Sequence, residues 1–304
     1  MIRALDFFFA ARPMLLMPVW TVYLVSLHYH HEVTGGMFDL YDLLLMICLS
    51  LLCAGAFYIN QVFDEESDRI NGKVGFLQRG LISDRTMMTA FIIASVVVLA
   101  VSPILGPLPI MIFLQIVILS VIYSAPPVRL KDRPIGGLFA NAYAHGFLVS
   151  LAVMSEITVH SADLLGWDNP VYFALTVGAT YLLTTIPDME GDRATGKRTF
   201  SVWLGRSTCL ISSFCLMLLA AFVAFRSGFA PLFYLCVMAT CLITASMLVR
   251  SDKAVLLAAK LPFLILTLLA GYWYPVYFLF VVALLIGTRL YYLRRFGIVY
   301  PRLA

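Results

Sequence analysis

Residues 40–73, LYDLLLMICLSLLCAGAFYINQVFDEESDRINGK, decide the fold because an apolar run passes directly into a cluster of acidic residues. The apolar part, residues 40–62, matches the ~20 residues that a helix needs to cross a bilayer. It lacks the alternation of apolar and polar residues that is typical of a membrane β-strand. The stretch therefore predicts a membrane-spanning helix that carries carboxylates at its end.

Nine further stretches have the same apolar character: 13–29, 86–105, 108–124, 137–156, 170–187, 207–225, 229–249, 254–272 and 275–293. We predict an all-α, polytopic transmembrane bundle of nine spans, or ten if both stretches in 254–293 cross the membrane. With nine spans, the C-terminus would lie on the outer side. Residues 1–304 are expected to form one transmembrane domain, in which the polar loops 63–85, 125–136 and 188–206 make a polar cytoplasmic cap.

The composition excludes several classes of protein. Of 304 residues, 62% are hydrophobic and 12% are charged, about half the ~25% charged residues of soluble domains. The net charge is +4 and no Lys/Arg run exceeds two residues, so we expect no nucleic-acid partner. We expect no removable signal peptide, because residues 1–13 lack a small-residue cleavage site. All six cysteines lie in apolar stretches without a Cys-x-x-Cys pair and are expected to be small buried hydrophobes: Cys48, Cys53, Cys209, Cys215, Cys236 and Cys241.

The basic residues predict the orientation of the bundle. With ten spans, 20 of the 21 Lys and Arg residues fall on one side, and only Arg226 falls on the other. Because basic loops stay in the cytoplasm, both termini and the three polar loops are expected to face it. We therefore predict a multi-pass protein of the cell membrane.

The acidic cluster occurs twice. Asp64–Lys73 (DEESDRINGK) and Asp188–Lys197 (DMEGDRATGK) agree at six of ten positions, at an offset of 124 residues. The internal repeat, 60–73 and 188–197, follows a predicted span in both copies and lies on the basic side. Repeats at corresponding helix ends commonly mark the binding region of a membrane fold.

The acidic residues are spaced to share a ligand. Asn60, Asp64 and Asp68 are four residues apart and would form one stripe on a helix, and Asp188 and Asp192 repeat that spacing. Like charges at this spacing destabilise a helix, so a compensating cation is expected. Carboxylate and amide oxygens suit Mg²⁺, which also bridges phosphates. The sequence thus predicts a metal site made of Asn60, Asp64, Asp68, Asp188 and Asp192.

Basic residues beside the acids would bind the remaining phosphate oxygens; they are Arg69, Lys73, Arg193, Lys197 and Arg198. The alternative is a set of interfacial salt bridges on solvated loops, which the repetition of the pattern disfavours. A third polar loop on the same side holds Arg129 and Lys131 after two prolines that stop the helix at Tyr123. His145 lies inside a predicted span and is expected to form internal hydrogen bonds or to line an acceptor pocket.

Three motifs make the sequence similar to the UbiA superfamily of intramembrane prenyltransferases. The first is Asn60-x-x-x-Asp64-x-x-x-Asp68, and the second is Asp188-x-x-x-Asp192 followed by Arg193, Gly196 and Thr199. The third is Tyr123-Ser124-x-Pro126-Pro127-x-Arg129-x-Lys131. The resemblance covers the whole chain in its helix pattern, and its specific motifs are confined to three loops.

The resemblance implies a bundle, usually of nine spans, with a polar cap over a central cavity. It implies that the four aspartates hold Mg²⁺ on an isoprenyl diphosphate with help from Asn60. It also implies that Lys131, Tyr123 and Arg12 contact the diphosphate or the nascent carbocation. Family members join the prenyl chain to a lipophilic, usually aromatic acceptor, and one archaeal branch prenylates a glycerol phosphate ether lipid.

Two departures from the family pattern concern the substrates. Many members carry an Asp where this chain has Thr185, and many continue the first motif with an Arg-Pro pair, where this chain has residues 75–80. Both an aromatic and a glycerol-phosphate acceptor therefore remain open. Outside this class, an ion-coupled transporter is the alternative, although it would place carboxylates near the bilayer midplane. A transferase of the CDP-alcohol type is disfavoured because its Asp-Gly-x-x-Ala-Arg signature does not occur in the sequence.

Overall fold

The computed structural model describes residues 2–70, 75–156 and 167–301, and every regular element in these ranges is helical. The helices are α1 (Ile2–Ala10), α2 (Met17–Thr34), α3 (Leu40–Ile70), α4 (Asp84–Leu105), α5 (Pro107–Ser124), α6 (Pro134–Asn141), α7 (Val149–Ala152), α8 (Asp168–Thr185), α9 (Met189–Ala194), α10 (Phe200–Arg226), α11 (Ala230–Val249), α12 (Asp252–Trp273) and α13 (Pro275–Phe296). Short 3-10 turns occur at Pro13–Leu15, Leu130–Asp132 and Val153–Glu156, and Ala142–Leu148 is a π-helix. The prediction of an all-α fold is confirmed.

Membrane-spanning helices account for most of the described chain. Eight helical segments are long and apolar enough to cross a bilayer, and the bent pair Ala4–Leu15 and Met17–Thr34 makes a ninth. The two members of this pair meet at 53°. Helix α8 also traverses the bundle, since Asp168 at its start contacts Ser227 and Thr185 at its end contacts Ser201, at opposite ends of α10; it is not among these nine. The structure therefore agrees with the predicted bundle of nine or ten spans.

The two ends of the bundle differ in character. At one end, the carboxylate of Asp64 lies 2.8 Å from Lys131 Nζ, and Asp6 pairs with Arg295 at 3.0 Å. We call this the motif end. Both ends of the described chain and the loops after α3, α5 and α8 lie here. An even number of traverses, ten with α8, brings the chain back to the end where it began.

At the opposite end, which we call the far end, Gly106 alone separates α4 from α5 and Tyr274 alone separates α12 from α13. The Tyr41 hydroxyl donates to the Leu105 carbonyl at 2.6 Å, and His28 stacks on Trp273 with 3.7 Å between ring centroids. His31 lies 3.6 Å from Asp42. The histidines of α2 are therefore remote from the acidic motifs.

Helix α3 is long enough to extend beyond the apolar layer, and the first motif lies in that extension. Its 31 residues measure about 46 Å at ~1.5 Å per residue, against a hydrocarbon core of ~30 Å. The helix continues through the acidic residues to Ile70. Asn60, Asp64 and Asp68 therefore occupy one face on consecutive turns, as predicted.

The core is closely packed where α8 meets the π-helix. A Cβ atom on Gly146 would lie only 2.4 Å from the Phe173 carbonyl oxygen, so the two backbones approach through a glycine. Tyr172, Phe173 and Leu182 of α8 are fully buried. A π-helix of this kind inserts an extra residue per turn and is frequent at functional sites.

The cysteine prediction is correct for four residues and wrong for two. Cys48, Cys53, Cys209 and Cys236 are buried, whereas Cys215 and Cys241 are exposed, and all six are free thiols. The exposed pair lies on the outward faces of α10 and α11, where large apolar side chains such as Phe222 are also exposed. An apolar outer surface of this extent is what a bilayer covers.

Candidate active site

The first acidic motif lies near the C-terminal end of α3, and its side chains are largely shielded from solvent. The exposed fractions of Asp64 and Asp68 are 8% and 6%, and Asn60 is half-buried. The side chains rise in a line from the apolar layer towards the polar loops. Buried carboxylates need compensating positive charge, and the loops supply it.

Lys131 provides the closest positive charge. Its ammonium lies 2.8 Å from Asp64 Oδ1 and donates to Asn60 Oδ1 at 3.0 Å. The Ser124 hydroxyl, at the end of α5, donates to the same amide oxygen at 3.3 Å. With only 7% of Lys131 exposed, burial lowers the pKa of its ammonium, and the neighbouring Asp64 carboxylate opposes that shift. Lys131 therefore joins the third motif to the first, deep inside the site.

The backbone of the third loop turns Lys131 inward. Arg129 adopts a left-handed conformation, with φ 43°, immediately before the 3-10 turn Leu130–Asp132. Its side chain pairs with Asp132 at 2.7 Å and lies 3.9 Å from Asp64. This left-handed residue reverses the chain, and Lys131 then points towards α3.

The second motif reaches the first through Lys197. This ammonium lies 3.8 Å from Asp64 Oδ1, while its backbone N–H donates to the Asp192 carbonyl at 2.9 Å. Asp192 Oδ2 accepts from the Thr199 hydroxyl at 3.1 Å. The Arg198 backbone N–H donates to the Asp132 carbonyl at 3.2 Å, which ties the second and third loops together. Residues of all three motifs thus converge around Asp64.

Other predicted residues lie further out. Asp188, Arg193 and Arg198 are exposed, and Arg69 pairs with its neighbour Glu66 on the surface. Lys73, and with it the end of the first repeat copy, lies outside the described residues. Arg12 lies on the inner side, with Nη2 3.9 Å from Asp68 Oδ2.

The carboxylates do not form a preassembled cage. Across residues 2–70, 75–156 and 167–301, no three His, Cys, Asp or Glu side chains converge closely enough to hold a metal ion. Lys131 and Lys197 approach Asp64 instead and offset its charge. The oxygen-rich donor set of Asn60 and the aspartates still has the chemistry that Mg²⁺ prefers.

A cavity of about 160 Å³ opens directly beneath the first motif. Its polar lining includes Arg12, Asn60, Tyr123, Asn141 and His145, and most of the remaining wall is apolar. The amide of Asn141 donates to the Tyr123 hydroxyl at 3.3 Å. The cavity is therefore an apolar space with a few polar groups, and it lies next to the site where Lys131 and Lys197 approach Asp64.

Sequence reasoning missed three residues of this site. Asn141 lies in an apolar stretch four residues before His145, a spacing that puts both on one helix face and offered a signal. Asp132 orients Arg129, and Gln61 donates its amide to the Ala10 carbonyl at 2.9 Å. The contact between Gln61 and Ala10 joins segments 51 residues apart, so no local pattern indicated it. Asp132 lies only three residues after Arg129, so the spacing of that pair was a local signal.

Comparisons with known proteins agree on one family. The model of the UbiA prenyltransferase family matches residues 15–259. Probable homogentisate phytyltransferase 2, chloroplastic, of Oryza sativa subsp. japonica is 29% identical over 174 residues, covering 54% of this chain and 44% of that protein. Digeranylgeranylglyceryl phosphate synthase of Halobacterium salinarum is 31% identical over 185 residues, covering 61% and 62%. The chain thus spans about half the length of the curated relatives it matches.

Solved structures show the same fold. A UbiA homolog from Archaeoglobus fulgidus bound to DMAPP and Mg²⁺ superposes with a TM-score of 0.67 at 19% identity, covering 86% of this chain and 99% of that one. The same homolog bound to GPP and Mg²⁺ gives a TM-score of 0.63 at 20% identity, covering 88% and 98%. At these identities the likeness establishes the arrangement of the helices.

Proposed function

Because the chain belongs to the UbiA prenyltransferase family, we propose that it transfers an isoprenyl group from an allylic prenyl diphosphate to a lipophilic acceptor within the membrane. The observation that carries this proposal is the buried Lys131, which contacts both Asp64 and Asn60, and Asn60 lines the apolar cavity. A cation in this position suits a diphosphate head group, and the cavity suits the carbon chain attached to it.

The metal-binding residues proposed are Asn60, Asp64, Asp68, Asp188 and Asp192. Their oxygen donors suit Mg²⁺, and the UbiA homolog from Archaeoglobus fulgidus was solved bound to DMAPP and Mg²⁺. When bound, the metal would offset charge on the diphosphate leaving group. Lys131 and Lys197 would then transfer their interaction from Asp64 to phosphate oxygens, because both lie within reach of that carboxylate.

The basic residues proposed for the diphosphate are Arg12, Lys131, Arg69, Lys73, Arg193, Lys197 and Arg198. In the reaction, the bond between the allylic carbon and the diphosphate oxygen breaks, and both electrons leave with that oxygen. Positive side chains that are already in place stabilise this developing charge without reorganisation, which is commonly the largest contribution to catalysis in such sites. Lys131 and Arg12 make the strongest case, since both line or border the cavity.

The cavity would receive the allylic carbons. The Tyr123 ring lies in its wall, and the π-face of an aromatic ring attracts a carbocation. The acceptor supplies the electron pair for the new bond, from a ring carbon in an aromatic acceptor or from a hydroxyl oxygen in a glycerol-phosphate acceptor, and then loses a proton. An apolar wall excludes water, which would otherwise capture the carbocation and yield an alcohol.

An aromatic, quinone-type acceptor is our first candidate, and a glycerol-phosphate ether lipid is the second. The relatives support both, since their names refer to homogentisate and to a glyceryl phosphate. His145 lines the cavity, where its imidazole suits a hydroxyl group of either acceptor. We further propose that the motif end faces the cytoplasm, following the distribution of basic residues.

Transfer of label tests the proposal. Purified protein would be incubated with Mg²⁺, labelled geranyl or geranylgeranyl diphosphate, and a panel of phenolic and glycerol-phosphate acceptors. We expect a labelled lipophilic product that depends on Asp64 and Asp188. Unchanged transfer in both Asp64→Asn and Asp188→Asn would refute the site, and ion flux in liposomes without transfer would support the transporter alternative.

A further inference from the structure

The first and last helices of the described chain meet at the motif end. Arg295 of α13 donates from Nε and Nη2 to the two carboxylate oxygens of Asp6 in α1, each at 3.0 Å. Only 2% of Asp6 is exposed, and the Tyr291 hydroxyl donates to the same carboxylate. Both partners lie outside residues 15–259, which the family model matches. A paired, two-bond contact of this kind is both strong and directional.

Aromatic packing extends the same contact. Phe9 of α1 stacks on Tyr291 with 3.9 Å between ring centroids, and Phe76 contacts Phe296 edge to face at 5.8 Å. The Arg79 guanidinium lies 4.7 Å above the Phe296 ring. The end of α13 therefore holds α1 and also the loop that follows the first acidic motif.

Helix α3 holds α1 from the other side. The Gln61 amide donates to the Ala10 carbonyl at 2.9 Å, and the Tyr58 hydroxyl donates to the Phe7 carbonyl at 2.8 Å. Both carbonyls lie in the last turn of α1, where carbonyls often lack a partner within the helix; that of Phe7 also accepts from the Ala11 N–H at 3.3 Å. Helix α1 is thus fixed between α13 and the helix that carries the first motif.

Arg12 follows directly from this fixed helix. Its backbone is left-handed, with φ 53°, a conformation that is uncommon for a residue with a side chain and persists only when the surroundings impose it. The Arg12 N–H donates to the Phe9 carbonyl at 3.1 Å. Its guanidinium reaches the cavity and lies 3.9 Å from Asp68. The direction of Arg12 therefore depends on how α1 is docked.

We propose that the Asp6–Arg295 pair positions Arg12 to bind the diphosphate of the prenyl donor. This inference rests on the proposed function and adds a role for α13, a helix beyond the family-model match. Arg295 is a positioning residue: it contacts Asp6, and Asp6 lies in the helix that ends at Ala10, two residues before Arg12. Loss of the pair leaves a buried carboxylate without its cation, so α1 shifts and Arg12 loses its orientation.

The first experiment compares two neighbouring arginines of α13. Arg295→Gln removes the pair, whereas Arg294→Gln changes an exposed residue and serves as the matched control. Binding of geranyl diphosphate in the presence of Mg²⁺ is measured by equilibrium titration, together with KM and kcat. We expect Arg295→Gln to weaken binding on the order of tenfold, as misplacement of a binding group does, with kcat less affected. The control should bind as the unaltered protein does.

A double-mutant cycle tests whether Arg295 acts through Arg12. We expect Arg12→Ala to weaken binding, and Arg295→Gln to add little further loss in the Arg12→Ala background, because the group it positions is already absent. A full additional loss would overturn the proposal, since Arg295 would then act on the whole fold.

Charge exchange provides a test even if a single variant fails to fold. Asp6→Arg combined with Arg295→Asp restores an opposite-charge pair, and we expect it to recover most of the binding lost in either single variant. Failure to recover, with normal folding, would overturn the proposed pairing role. If the unaltered protein neither binds geranyl diphosphate nor transfers its prenyl group, the proposed function itself is wrong and this inference falls with it.

Discussion

Lys131 and Asp64 form a buried ion pair of 2.8 Å that joins the third polar loop to the helix of the first acidic motif. The same ammonium also binds Asn60 at 3.0 Å. The pair keeps the carboxylate neutralised before substrates arrive. It also holds a positive charge beside Asn60, which lines the cavity proposed for the prenyl donor.

Removal of the Lys131 ammonium should impair the chemical step. We expect Lys131→Ala to lower the transfer rate on the order of a hundredfold to a thousandfold, the cost of losing one preorganised donor to developing negative charge. Lys131→Arg should retain part of the activity because the positive charge remains. The measurement is single-turnover transfer from labelled geranyl diphosphate. Lys253→Ala, at an exposed site of α12, is the control, and equal rates in all variants would contradict the role of Lys131.

Metal removal should stop transfer reversibly. We expect EDTA to abolish product formation and added Mg²⁺ to restore it, because the proposed donors are carboxylate and amide oxygens. Asp188→Asn should raise the Mg²⁺ concentration needed for half-maximal rate. Asp84→Asn, in the exposed first turn of α4, should not. Full activity in EDTA would exclude the proposed metal site.

His145 should affect the acceptor rather than the donor. The imidazole lines the cavity beneath Asn60, so we expect His145→Leu to raise KM for hydroxylated aromatic acceptors severalfold while binding of geranyl diphosphate stays unchanged. His145→Gln, which keeps hydrogen-bonding groups, should recover part of the loss. Ser120→Ala is the control, because Ser120 lines the same cavity but its hydroxyl donates to the Ile116 carbonyl. Parallel losses of donor and acceptor binding would argue for a general packing defect.

The contact between α8 and the π-helix should tolerate no added methyl group. A Cβ on Gly146 would lie 2.4 Å from a backbone oxygen, so we expect Gly146→Ala to destabilise the protein by about 1–3 kcal/mol, the usual cost of overpacking. Gly287→Ala in α13 meets no atom within 4 Å and should be neutral or slightly stabilising. Thermal unfolding in one detergent compares the two. If Gly146→Ala were as stable as the control, α8 and the π-helix would be able to move apart at little cost, which would contradict the close packing described here.

Much of the architecture followed from local patterns. The apolar runs predicted the spanning helices, and the four-residue spacing of Asn60, Asp64 and Asp68 predicted the stripe on α3. These features depend on helical periodicity and on the thickness of a bilayer, which act over one or two dozen residues. These features can therefore be predicted from the sequence alone.

Long-range contacts were beyond such patterns. Nothing near Asp6 indicates that Arg295, 289 positions later, would be its partner, because that contact depends on how the whole bundle closes. Likewise, no spacing rule indicates that Lys131 and Lys197 both approach Asp64. The π-helix at Ala142–Leu148 is a third case, since its extra residue reflects packing against α8 rather than a local preference.

The meeting of α1 with the end of α13 has a practical meaning for studies in living cells. A reporter enzyme attached to either tail of this chain would share a water compartment with the acidic motifs. The two fusions should consequently respond alike to a reagent that cannot pass the membrane.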